Sequence, residues 1–281
     1  MATDMAFWRD RQGRFSVMKA ACFVLISLPG LWIGVALGMG WMGAKPVTAA
    51  IHESGLWALR LLLLTLTITP LRLLTGWNRL ILIRRMLGLG ALAYGLGHLA
   101  LYAFEQKFDL ARIAGEIALR FYLTIGFVSL AAMIALGVTS TDAMIRRLGA
   151  ARWNRLHRLV YPLTALALFH AFLQARIDVS EALVMSGVFL ALMGIRAMRG
   201  RIMIEPARLT ALAIGVFAAT LALEWCWYRF ATGLPADRIF LASFDPALQP
   251  RPAWIALGLA LLLPGAMLLA GRFRPARPAP P

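Results

Sequence analysis

Apolar residues in this chain come in blocks of about 20, not at alternate positions, and a helix of that length crosses about 30 Å of hydrocarbon. Charged and Pro/Gly breaks delimit eight such blocks, at 17–38, 54–74, 86–104, 119–138, 159–177, 179–198, 207–230 and 253–270. The pattern predicts an all-α, polytopic membrane helical bundle. Block one follows Arg9, Arg11 and Arg14 but is longer than a signal-peptide core and holds Pro29 and Gly30 mid-span, so it reads as a retained helix. The short link at 177–179 predicts an antiparallel hairpin between spans five and six. Segments 105–118 and 231–252, and the stretch holding His52, read as loops.

Composition agrees. Of 281 residues, 60% are apolar and 15% charged, against roughly 25% charged in soluble domains. The net charge of +16 would suit nucleic acid, but Lys and Arg sit in short runs between apolar blocks, where they act as topology signals. Nucleic-acid binding is therefore excluded. Twenty of the 29 basic residues fall before span one, between spans two and three, four and five, and six and seven, and in the tail, which predicts two cytoplasmic termini. Trp225, Trp227 and Tyr228 suit an outer aromatic belt, and residues 272–281 read as a disordered cytoplasmic tail. Cys22 and Cys226 are isolated within apolar blocks, so no disulfide framework or Cys-x-x-Cys site is indicated.

The chain has four histidines. His98 lies about 12 residues inside span three and His170 about 11 inside span five from the same side, so at about 1.5 Å per residue they share one depth to within about a turn. Two imidazoles level on neighbouring helices suit the two axial positions of a b haem. Interhelical hydrogen bonding or a proton relay are the other readings of ionisable groups at that depth. Gly88, Gly90, Gly95 and Gly97 on span three, with Ala167 and Ala171 beside His170, would admit a porphyrin face, and would equally serve helix packing.

His157, within Arg152-Trp-Asn-Arg-Leu-His-Arg158, precedes His170 by 13 residues, about 20 Å and roughly 140° around a straight helix. Pro162 between them can reset that phase. Its depth partners on span three are Arg84 and Arg85, which cannot ligate iron. His157 is left for a propionate, a quinone carbonyl, a flavin, iron with another partner, or a plain interfacial position. Arg60 in span two suits a haem propionate or snorkelling to water.

Ile68-Thr-Pro-Leu-Arg72, Arg84-Arg-Met-Leu-Gly88 leading to His98, Thr139-Ser-Thr-Asp-Ala-Met-Ile-Arg-Arg-Leu-Gly149, and Trp153-Asn-Arg-Leu-His-Arg-Leu-Val-Tyr161 leading to His170 resemble the MsrQ (YedZ) family. That family lies within the ferric-reductase-like transmembrane superfamily, and the resemblance runs over roughly 50–198. It implies a b-type haem subunit in the bacterial inner membrane, with haem-linked histidines at His98, His157 and His170. Electrons would pass from the quinone pool or a cytoplasmic flavin reductase to the periplasmic molybdopterin subunit MsrP, which repairs oxidised periplasmic proteins. FMN is also implied, without residues assigned to it. The six-helix core would span 1–198, and 199–271 would add two transmembrane helices.

The chain shows no glycine-rich phosphate loop opening a helix, so a separate electron donor is expected. The rim of Arg72, Trp77, Asn78, Arg84, Arg85, Arg152, Arg155 and Arg158 is where such a donor would find complementary charge. Segments 105–118 and 231–252 would face a periplasmic acceptor. No catalytic Ser/His/Asp set, carboxylate pair or zinc spacing occurs, so the expected role is one-electron relay. Two alternatives share parts of this pattern: a stand-alone cytochrome b reducing metal ions, and a proton-coupled transporter.

Overall fold

The computed structural model describes residues 14–200 and 204–272. Its long helices are α1 (Val17–Gly38), α2 (Pro46–Thr75), α3 (Ile81–Glu105), α5 (Phe121–Val138), α8 (Val160–Ala175), α9 (Ser180–Met198), α10 (Pro206–Trp227) and α12 (Pro252–Arg272); the short ones are α4 (Leu110–Leu119), α6 (Asp142–Leu148), α7 (Ala150–His157) and α11 (Ala236–Ala242). Among the described residues, eight segments are long and apolar enough to cross a membrane, one for each expected block. The protein is a multi-pass membrane helical bundle. Arg9, Arg11 and the expected disordered stretch from 273 onward lie outside the described residues.

Three expectations change. First, α2 starts at Pro46, so His52 is an exposed residue inside a helix, not part of a loop. The hydropathy pattern stops short there because polar side chains line this turn, where Thr48 donates to Glu105 at 2.6 Å. Second, 105–118 is largely the amphipathic helix α4, started by the Asp109 carboxylate accepting from the Arg112 amide at 3.0 Å. Segment 231–252 likewise contains α11 and a 3-10 turn, Pro246–Leu248. Third, His157 and His170 do not share one straight helix: both fall in the candidate span Ala150–Ala175, but His157 ends α7 and α8 starts three residues later. Pro162 has no amide for the Arg158 carbonyl. That carbonyl accepts instead from Tyr161 at 3.1 Å, and the chain turns before it. The turn between α6 and α7 falls on Gly149, at φ 74°, which L side chains rarely adopt.

Two compact units emerge. One holds the chain up to Thr65 together with Ile81–Gln174. Within it Tyr94 of α3 donates to the Ile26 carbonyl of α1 at 2.7 Å, and Ser129 of α5 donates to the Leu163 carbonyl of α8 at 2.9 Å. Such buried hydroxyls satisfy themselves on backbone because the hydrocarbon offers no water. The other unit holds Leu66–Leu80 and the chain from Ala175 onward. Here α9, α10 and α12 close on small residues: Ala191, Ala213, Val216, Ala256 and Ala260 form one buried cluster. At Gly187 a Cβ would sit 2.6 Å from the Ala256 methyl. Leu74 joins Ile195 and Leu209 in a second cluster, and Arg196 donates to the Leu66 carbonyl. By packing, then, α9 groups with the two helices that follow it.

Candidate functional site

His98 of α3 and His170 of α8 meet with ring centroids 6.3 Å apart and planes at 87°. Counted along the observed helices, His98 lies seven residues from the Glu105 end and His170 five from the Ala175 end. Equal depth therefore places both rings nearer that end of the bundle. Each ring is held by a third and a fourth helix. His98 Nδ1 lies 2.7 Å from the Ile51 carbonyl of α2, and His170 Nδ1 lies 2.8 Å from the Tyr122 carbonyl of α5. A carbonyl can only accept, so both rings carry their proton on Nδ1, and each Nε2 is left with its lone pair. Neither Nε2 has a hydrogen bond from the described residues. This orientation, with one imidazole nitrogen tied to a carbonyl, is the usual outer-shell support of a metal-binding histidine.

Of the glycines that would admit a porphyrin face or serve helix packing, most are in packing contacts. Gly88, Gly90 and Gly95 are covered by protein: a Cβ there would meet Thr65, Ile26 and Leu130 respectively. Gly97 is open and, with Ser54, Tyr94 and Phe104, lines an apolar groove of about 550 Å³. The glycines against the rings are Gly55, where a Cβ would lie 3.0 Å from His98 Nδ1, and Gly126, where it would lie 2.8 Å from His170 Nδ1 and Cε1. Gly55 is on α2, three residues after the exposed His52, and Gly126 is on α5; neither shares a helix with the ring it meets, so no pattern local to His98 or His170 points to them.

His157 is elsewhere, at the opposite end of this unit. Its ring stacks on Trp153 at 3.8 Å, and Nε2 lies 3.2 Å from the Thr139 hydroxyl. The Trp153 indole donates to the Thr139 carbonyl at 2.8 Å, which fixes α7 on the end of α5. Arg84 and Arg85 lie within electrostatic range of His157, as their depth on span three suggested. Arg85 also pairs with Asp142 at 2.6 Å. Arg60 lies 3.8 Å from Glu53 and 4.8 Å from the centre of the Trp57 ring.

One turn beyond His98, the Tyr102 hydroxyl donates to Glu116 of α4 at 2.8 Å. Arg112 and Arg120 also reach Glu116, at 3.4 and 3.3 Å, and Arg120 donates to the Tyr122 hydroxyl at 3.1 Å. The Tyr102 hydroxyl first, then the two guanidiniums, hold the Glu116 carboxyl below the usual range. This network caps the end nearest the ring pair and was not foreseen, because 105–118 read as a loop.

A family model described as ferric reductase like transmembrane component matches residues 54–168, stopping two residues short of His170. The protein-methionine-sulfoxide reductase heme-binding subunit MsrQ of Rhodospirillum rubrum is 42% identical over 189 residues, covering 67% of this chain and 88% of that protein. Its namesake in Azospira oryzae is 40% identical over 185 residues, covering 65% and 79%. The one in Xanthomonas campestris is 41% identical over 184 residues, covering 64% and 84%. No solved structure matches. With a relative this similar matched over nearly nine-tenths of its own length, and with the ordered motifs around His98, His157 and His170, this chain belongs to the MsrQ family of ferric-reductase-like transmembrane proteins.

Proposed function

We propose that this chain is the haem-binding membrane subunit of a methionine sulfoxide reductase system and that His98 and His170 are the residues that would hold a b-type haem. The carrying observation is the ring pair, with both Nδ1 protons engaged on carbonyls and both Nε2 lone pairs left over. Two imidazoles from different helices, 6.3 Å apart and each tied through Nδ1 to a carbonyl, are a donor set that would suit a haem iron. The names of the curated relatives support the same reading. Haem, when bound, supplies one-electron ferric/ferrous chemistry whose potential follows axial ligand, burial and outer-shell hydrogen bonds.

The chain's own residues orient two ligands, exclude water around them and present charge at the two ends. At the His157 end, His157 with Arg84 and Arg85 would receive an anionic or carbonyl-bearing donor, FMN from a flavin reductase or a quinone. This end would face the cytoplasm, with both termini on that side of a bacterial inner membrane. At the other end, close to the ring pair, the α4 surface would receive a periplasmic acceptor of the MsrP kind. Arg60, with Glu53 and Trp57 among its neighbours, would pair with a haem propionate or snorkel to water.

The test is an optical spectrum of the purified protein expressed with ample haem supply. A reduced-minus-oxidised b-type signal is expected in the wild type, lost in His98→Ala and in His170→Ala and retained in His52→Ala. A colourless wild type rejects the reading.

A further inference from the structure

The carbonyls that hold the two rings stand in the same relation to the two glycines. Ile51 precedes Gly55 by four residues in α2, and Tyr122 precedes Gly126 by four in α5. In an α-helix each Cβ leans toward the N-terminus, so the side chain of residue i+4 lies over the carbonyl of residue i. A glycine at i+4 bares that carbonyl to a donor from another helix. The distances show both notches filled by imidazole, more tightly at Gly126 (2.8 Å from an added Cβ) than at Gly55 (3.0 Å).

The notches differ in one further residue. The buried Ser54 hydroxyl donates to the Ile51 carbonyl at 2.9 Å, so that oxygen serves Ser54 and His98 together. Among the described residues, no serine or threonine hydroxyl donates to the Tyr122 carbonyl. An oxygen already polarised by one donor accepts the second more weakly.

We propose that Gly55 and Gly126 are positioning residues that bare the Ile51 and Tyr122 carbonyls to the Nδ1–H of His98 and His170, and that Ser54 weakens the first of these bonds, making the two imidazoles unequal ligands. This rests on the haem reading above. A stronger Nδ1–H bond makes an imidazole a better electron donor and favours ferric iron; a weaker bond does the opposite. Gly126→Ala must displace the His170 ring, whereas Gly55→Ala asks His98 to yield by a few tenths of an ångström.

The test is redox titration and low-temperature EPR of purified, haem-loaded Ser54→Ala, Gly55→Ala and Gly126→Ala beside wild type. Expected are a lower midpoint potential in Ser54→Ala, a higher one in Gly55→Ala, and loss of the six-coordinate low-spin signal in Gly126→Ala. Opposite shifts at two positions acting on one hydrogen bond are not what general loosening of the fold produces. Potentials in Ser54→Ala and Gly55→Ala that match wild type, or that move in the same direction, overturn the proposal. Should Gly126→Ala not accumulate in the membrane, those two potentials decide alone. A wild type without a b-type signal sinks the haem reading itself; a normal wild type with unmoved variants sinks only the positioning role.

Discussion

Replacing Arg251 with Ala asks what holds the second unit together at its loop end. Arg251 donates to Glu224 of α10 at 2.6 Å, through one guanidinium nitrogen to one carboxylate oxygen. Glu224 Oε2 and Arg251 Nε are both buried without a partner, so the pair is a single contact, not a two-pronged fork. The two side chains differ in access: 25% of Arg251 is exposed and 3% of Glu224. That difference predicts an asymmetry. Arg251→Ala leaves a buried carboxylate with the Ser243 hydroxyl as its remaining polar neighbour, close to the case in which breaking a buried pair costs about 3–5 kcal/mol. Glu224→Ala leaves an arginine long enough to snorkel out, so its cost stays near the about 1.5–3 kcal/mol of a hydrogen bond to a charged group. The double variant Glu224→Leu/Arg251→Met removes both charges and is expected near wild type, as apolar replacements of buried pairs often are. The assay is thermal unfolding in detergent followed by tryptophan fluorescence. Trp254, whose indole donates to the Ser243 carbonyl at 2.7 Å next to this pair, is one of the nine tryptophans that contribute to that signal. Arg251→Ala equal to or more stable than Glu224→Ala would refute the reasoning.

Gly187→Ala puts a methyl 2.6 Å from the Ala256 Cβ where α9 meets α12, and overpacking of that kind costs about 1–3 kcal/mol; an unchanged unfolding midpoint would contradict it, and Gly215→Ala, with open space around it, serves as the neutral control. Trp153→Ala removes both the ring stacked on His157 and the donor to the Thr139 carbonyl, so residues 150–157 should lose amide-exchange protection while the spectrum of the His98–His170 site is kept. At Glu116 the folded-state carboxyl titrates below its unfolded value. The stability it contributes is therefore complete above the ordinary glutamate value of about 4.3 and is lost as pH falls through the lower folded one. Exchange protection over 110–120 should hold from pH 7 to 5 and fall only below that window, and Glu116→Gln should abolish the fall; loss already between pH 7 and 5 would refute it.

The crossings and the shared level of His98 and His170 were legible in the residues alone. Bilayer thickness forces apolar runs of about 20, and position along a helix is linear in residue number, so depth follows from counting. The places where that reading missed share one property. His52 lies inside α2, residues 110–119 form a helix, and α7 ends at His157 because polar contacts and an absent proline amide, not hydropathy, set those boundaries. Gly55, Gly126 and Ser54 could not be singled out by any local pattern: each matters through a ring delivered from another helix, and one glycine among the chain's 24 looks like the next until the neighbour it must admit is in place. Sequence by itself determined how many times the chain crosses and at what height its imidazoles sit, because hydrocarbon thickness and helical rise act on each segment separately. Only the tertiary structure decided which carbonyls hold those rings and which nitrogens are left with lone pairs, because both depend on how closely two helix backbones approach.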